Sequence, residues 1–143
     1  MVDRDLDGIG FSVNDVEAMT RFYVEGLDCT LGEPVDVPES ITSKLGTVPS
    51  GMQMTLLLTP GGMRLKLVRA AGQEAPSVAV RSITARTGVT YLTFQVRDVP
   101  STRDGLVALG GTALSDPSLE KVAAFVADPE GNLVELLRAP KDS

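Results

Sequence analysis

Apolar and polar positions alternate in two stretches of the chain, and each stretch then changes to a helical period. In GIGFSVND (8–15), Ile9, Phe11 and Val13 fall on one side and Gly8, Gly10 and Ser12 on the other. In YLTFQVRD (91–98), Leu92, Phe94 and Val96 alternate with Tyr91, Thr93 and Gln95. A period of two predicts half-buried strands. Asn14, Asp15 and Asp98 follow, residue types that accept the free N–H groups of a helix start. Helices are expected over 15–27 and 100–110, with stripes of Val16, Met19, Phe22, Tyr23 and Leu27 on the first and Leu106 and Leu109 on the second. Gly26 and Gly110 suit chain reversal near their ends. Three apolar runs succeed each helix, at about 29–36, 51–59 and 63–70, then 111–116, 121–127 and 132–138. The order is β-α-β-β-β, twice, and each helix should cover one face of its sheet.

The two halves are related in sequence as well as in pattern. An offset of 83 sets GIGFSVNDVEAMTRFYVEGLDCTLGEP (8–34) on YLTFQVRDVPSTRDGLVALGGTALSDP (91–117), with Phe11 on Phe94, Val13 on Val96 and Asp15-Val16 on Asp98-Val99. An offset of 69 sets TPGGMRLKLVRA (59–70) on DPEGNLVELLRA (128–139), where Pro60, Gly62, Leu67, Arg69 and Ala70 recur. The first half carries 14 more residues between its two blocks, in VPESITSKLGTVPSG (37–51). That insertion reads as a solvated loop or as a flap over a cavity mouth. The small and polar residues of 71–87 read as a connector, which leaves module one at 5–70 and module two at 88–139.

Composition narrows the function. With 143 residues, 43% apolar and 22% charged, the chain is of ordinary globular make-up. It has no apolar run near the length of a membrane span, and its acidic first residues lack a signal-peptide pattern, so a cytoplasmic protein is expected. A net charge of −6 disfavours nucleic acid and is compatible with a cationic ligand, though acidity serves solubility too. One cysteine excludes a disulfide framework, and Cys29 reads as packing because the chain has no histidine to activate it.

Glu135 stands out as a carboxylate inside the aliphatic run LVELL (133–137). The segments GIGFSVNDVEAMTRFYVEGL, YLTFQVRDV and FVADPEGNLVEL resemble the vicinal-oxygen-chelate superfamily. Glyoxalases, methylmalonyl-CoA epimerases, fosfomycin-resistance transferases, extradiol dioxygenases and bleomycin-resistance proteins belong to it. The resemblance covers about 5–139 and implies an α+β fold of two paired βαβββ modules whose curved mixed sheet surrounds a cavity. It also implies a homodimer, because small members commonly pair through their modules. The family's metal enzymes place ligands at four positions, which correspond to Gly8, Lys66, Tyr91 and Glu135. Only Glu135 matches, so neither a metal nor another cofactor is expected.

The resemblance implies that Lys66 and Glu135 face a common cavity, either as a structural ion pair or as an acid/base site lined by Tyr91. Glu135, Lys66 and Tyr91 are the candidate catalytic residues. Gly8, Gly10, Ser12, Met52, Met54, Thr93 and Gln95 are candidate ligand contacts, although methionines also fill ordinary cores. Two functions fit. One is a metal-independent isomerase, epimerase, lyase or cyclase acting on a largely apolar oxygenated small molecule. The other is a metal-free drug- or metabolite-binding protein of the bleomycin-resistance type.

Overall fold

Both alternating stretches are strands. The computed structural model describes residues 5–46, 50–77, 82–119 and 121–141. Residues 47–49 of the insertion and 78–81 of the connector lie outside the described residues. The chain divides into two units, residues 1–76 and 77–143.

In unit 1, β1 (Gly8–Ser12) leads to α1 (Val16–Leu27), then to β2 (Thr30–Val37), α2 (Glu39–Leu45), β3 (Met52–Leu58) and β4 (Arg64–Ala70). Unit 2 repeats the order with β5 (Tyr91–Val96), α3 (Val99–Ala108), β6 (Thr112–Ala113), β7 (Ala123–Ala127) and β8 (Leu133–Arg138). The strand orders are β1-β4-β3-β2 and β5-β8-β7-β6. In each sheet the first and last strands pair in parallel, and the remaining pairs are antiparallel. The offsets of 83 and 69 carry Gly8↔Arg64 onto Tyr91↔Leu133 and Gly10↔Lys66 onto Thr93↔Glu135. The duplication read from sequence is thus a duplication of ladder register.

Both helices start as their sequences predict. The Asp15 carboxylate accepts from the Ala18 N–H at 3.0 Å, and that of Asp98 from the Ser101 N–H at 2.9 Å. Asn14 does something else: its side-chain amide exchanges two 2.8 Å hydrogen bonds with the backbone of Ala75 and ties down the start of the connector. Helix α1 buries Met19, Phe22, Tyr23 and Leu27. These side chains pack over Leu57, Leu65 and Leu67, with Phe11 and Tyr23 rings 6.1 Å apart. Helix α3 buries Val99 and Leu106 on β7 and β8, where Ala124, Val126, Val134 and Leu136 are buried.

Three details differ from the sequence reading. Gly26 lies inside α1, and the reversal falls instead at Asp28, the non-glycine residue with left-handed φ, 58°. The insertion at 37–51 is not all loop. Residues Glu39–Leu45 form a helix whose buried Thr42 hydroxyl donates to the Ser50 carbonyl at 2.8 Å, and Gly46 ends it at φ 75°. The strand expected over 111–116 shortens to Thr112–Ala113. There Asp116 turns the chain by accepting the Ser118 N–H at 2.8 Å, a bond that also pulls its carboxyl below the usual range.

Candidate functional site

Alternation along a strand sends one set of side chains to the helix and the other to the opposite, open face. In unit 2, Leu92, Phe94, Val134 and Leu136 take the helix side through the pairs Leu92↔Val134 and Phe94↔Leu136. Tyr91, Thr93, Gln95, Glu135 and Phe125 therefore share the open face. Glu135 sits opposite Thr93 on one side and Phe125 on the other. Its Oε1 accepts a hydrogen bond from the Thr93 hydroxyl at 2.8 Å, and the residue is half-buried. Among the described residues, no hydrogen bond or ion pair reaches Oε2. The Tyr91 ring stands edge-on to Phe125, centroids 5.4 Å apart at 73°, which leaves its phenol at the rim with 41% exposure. Gln95 is exposed further along β5.

This face answers why a charged residue interrupts LVELL. Val134 and Leu136 belong to the core, and the residue between them points away from it. Thr93, expected from sequence as a ligand contact, holds the carboxylate in place. Phe125 was not singled out from sequence, although the alternation of small residues around it in AAFVA carries the signal.

In unit 1 the open face carries Gly10 and Ser12 on β1, Lys66, Val68 and Ala70 on β4, and Met52, Met54 and Leu56 on β3. Val35 and Val37 extend it onto β2 through Val35↔Met54 and Val37↔Met52. Lys66 is half-buried, and among the described residues it has no hydrogen-bond or ion-pair partner. Its neighbour two residues back, Arg64, is paired with Asp7 at 3.0 Å. A cleft of about 530 Å³ opens at the far end of this face over Val37, Met52 and Ala70. The two glycines of β1 are not alike. A Cβ at Gly8 would lie 2.5 Å from the Arg64 carbonyl oxygen, whereas one at Gly10 would meet only the Lys66 carbonyl oxygen, at 4.0 Å. Gly8 is therefore required by the tight β1–β4 approach, and the open space lies at Gly10. Cys29 is buried, and burial, with a smaller effect from Asp28, pushes its thiol up to about 11. It is a packing residue.

Duplicated β-α-β-β-β units with a parallel outer ladder and a carboxylate on the open face of the last strand define a paired-module protein of the vicinal-oxygen-chelate class. The model of the Glyoxalase/Bleomycin resistance protein/Dioxygenase superfamily matches residues 5–136, and the chain belongs to that superfamily. Similar folds include a glyoxalase family protein from Bacillus cereus, at 18% identity and TM-score 0.78 over 96% of this chain and 97% of that one. The trypanothione-dependent glyoxalase I of Leishmania major is 20% identical with TM-score 0.70, over 95% and 87% of the two chains. The fosfomycin resistance protein FosX of Mesorhizobium loti is 15% identical with TM-score 0.64, over 98% and 94%. At these identities the likeness speaks for the fold alone. No curated protein sequence matches the chain.

Among these folds, FosX of Listeria monocytogenes is known with Mn(II) bound. The residues here do not fit such an ion. In unit 1 the position of Gly8 has no room for a side chain and Lys66 brings a positive charge; in unit 2 Tyr91 and Glu135 are the oxygen donors. Among the described residues, no three of His, Cys, Asp and Glu come together. A divalent cation needs more donors than that.

Proposed function

We propose that the chain is a metal-independent enzyme of the glyoxalase fold that moves a proton on a carbonyl compound, with Glu135 as the base. The observation that supports this reading is the Glu135 carboxylate itself. One oxygen is fixed by the Thr93 hydroxyl, and among the described residues the other has no partner on the open face. A positioned carboxylate of this kind accepts a proton from a carbon next to a carbonyl group. The electron pair of the broken C–H bond moves into a C=C bond, and the carbonyl oxygen takes the phenolic proton of Tyr91. Return of both protons, to the same carbon or its neighbour, gives epimerisation or isomerisation. Tyr91 suits the donor's part because its ring is braced by Phe125 and its hydroxyl stays accessible.

The test is deuterium incorporation. Metal-stripped protein in D₂O is followed by proton NMR with a panel of α-hydroxy and β-keto carbonyl compounds. Exchange above the buffer rate is expected at a C–H next to the carbonyl, unaffected by chelator. Glu135→Gln should lower it by about a hundredfold or more while binding stays within about tenfold, because the change removes a proton acceptor but little volume. Exchange that requires an added divalent ion would overturn the metal-free reading.

An alternative keeps the same residues without chemistry. A free carboxylate beside Tyr91 and Phe125 is also a seat for a cationic drug or metabolite. A ligand that binds without exchange, and whose affinity alone falls in Glu135→Gln, would select this binding-protein reading.

A further inference from the structure

Unit 1 has a feature that the acid/base reading of Glu135 does not use. Lys66 is a half-buried cation on a sheet face that is apolar towards Ala70 and carries the Arg64–Asp7 pair on the other side, and among the described residues it has no partner. The residues around it in the ladders are Gly10, Leu56 and, one pair further, Met54 and Val68. β1, β3 and β4 carry no carboxylate of their own, and among the described residues the one acid that reaches this face beside them, Asp7, is taken up by the Arg64 guanidinium at 3.0 Å. On the neighbouring edge, Glu33 is exposed in the irregular stretch of β2 between Leu31 and Pro34, and Asp36 pairs in register with Gln53 on the opposite face and accepts its amide at 3.4 Å. An ammonium among aliphatic and thioether groups without an acceptor is poorly satisfied, and an anion that arrives there is correspondingly favoured.

From Lys66 the face continues without interruption by charge. Successive cross-strand rows are Leu56 and Lys66, then Val35, Met54 and Val68, then Val37, Met52 and Ala70. At about 3.4 Å per residue, the four residues from Lys66 to Ala70 span ~14 Å. The last row forms one wall of an open cleft of about 530 Å³ at the strand ends, which Asp36, Gln53 and Arg69 line from the other side. Gly10 keeps the space over Lys66 clear, since a Cβ there would meet only a backbone oxygen at 4.0 Å.

We infer that this face binds an anionic ligand with an elongated apolar body. Its acidic head pairs with the Lys66 ammonium, and its body lies along Met54 and Val68 towards the cleft at Met52. Methionines suit such a role because their unbranched side chains adapt to the shape that covers them. The reading stands on unit 1 alone and goes beyond the proton-transfer role of Glu135.

Two fluorescent probes with the same aromatic body test it on the full chain: 8-anilinonaphthalene-1-sulfonate, an anion, and N-phenyl-1-naphthylamine, its uncharged counterpart. The expected result is that the sulfonate binds about tenfold tighter than the neutral probe. Lys66→Met should erase that margin and leave the affinity of the neutral probe within about twofold, because it removes charge but keeps the length and apolar stem. Lys66→Arg should restore the margin. The inference is overturned if the wild type binds both probes equally or binds neither. It is overturned too if Lys66→Met leaves the preference for the sulfonate intact, in which case Lys66 merely extends its stem over the sheet. Deuterium exchange reports on Glu135 independently. Exchange without an anion preference would remove this inference and spare the acid/base reading, and the opposite pattern would do the reverse.

Discussion

Glu135 and Lys66 occupy equivalent register positions in the two units and have opposite charge, and their surroundings differ. Glu135 is held by a hydroxyl from the facing strand, because residue 93 is Thr; the corresponding place opposite Lys66 is Gly10, which offers nothing. Among the described residues, one of the two charges is thus anchored and the other has no partner. Cys29 illustrates a titratable group whose environment gives it no chemistry. Burial raises its thiol from about 9 to about 11, so the folded chain keeps a proton that the unfolded chain releases over that interval. Its contribution to stability is complete below pH 9 and is lost as pH rises from 9 through 11. Denaturant midpoints measured across this range should therefore fall more steeply for wild type than for Cys29→Ala. Parallel curves would show that the thiol is not protected by the fold.

Among the elements, the β7–β8 turn and its counterpart in unit 1 show how the repeat is built. Asp128 N–H donates to the Asn132 carbonyl at 2.8 Å, as Thr59 N–H donates to that of Met63 at 2.8 Å. The side chain of each first residue accepts the N–H four residues on, at 2.9 Å in both turns. Gly62 and Gly131 take left-handed φ of 97° and 93°, the conformation that fixes glycine at both places. The buried Asp128 carboxylate also accepts from the Glu130 N–H at 3.0 Å and from the Asn132 amide at 2.9 Å. Asp128→Ala would leave these donors without their acceptor and should cost about 2–4 kcal/mol by denaturant titration. Asp128→Asn keeps one carbonyl oxygen for the backbone donors and should cost less. Equal, small losses would mean that backbone bonds alone hold the turn. Strand β2 shows a different device: an edge strand whose ladder slips between Leu31 and Pro34, which blunts further strand pairing.

For the molecule as a whole, assembly follows from what the units leave uncovered. Ile41 and Leu45 on α2 are 48% and 56% exposed, and Leu31 on β2 is 54% exposed. Apolar surface of this kind on a globular protein marks an interaction surface, and we propose that it serves a homodimer. Sedimentation at micromolar concentration should give twice the chain mass, and Leu45→Lys should shift it towards the monomer; a monomeric wild type would remove the proposal. No helix among the described residues is long and apolar enough to cross a membrane. Much of the architecture was legible in the sequence, because it is written in local and periodic signals. Alternation in GIGFSV and YLTFQV sets which residues face the helix, Asp15 and Asp98 start the helices, and the glycines of two matching turns fix the return of the chain. The open-face position of Glu135 followed from its flanking core residues for the same reason. Other features were decided only when separate segments met. The hydroxyl that holds Glu135 comes from a residue 42 positions away, and α2 is tied to the carbonyl of Ser50. The lack of room at Gly8 is a property of the Arg64 backbone pressed against it, and the unpartnered state of Lys66 is a property of every neighbour around it. Periodicity assigns a residue to a face; what meets it there is set by long-range packing.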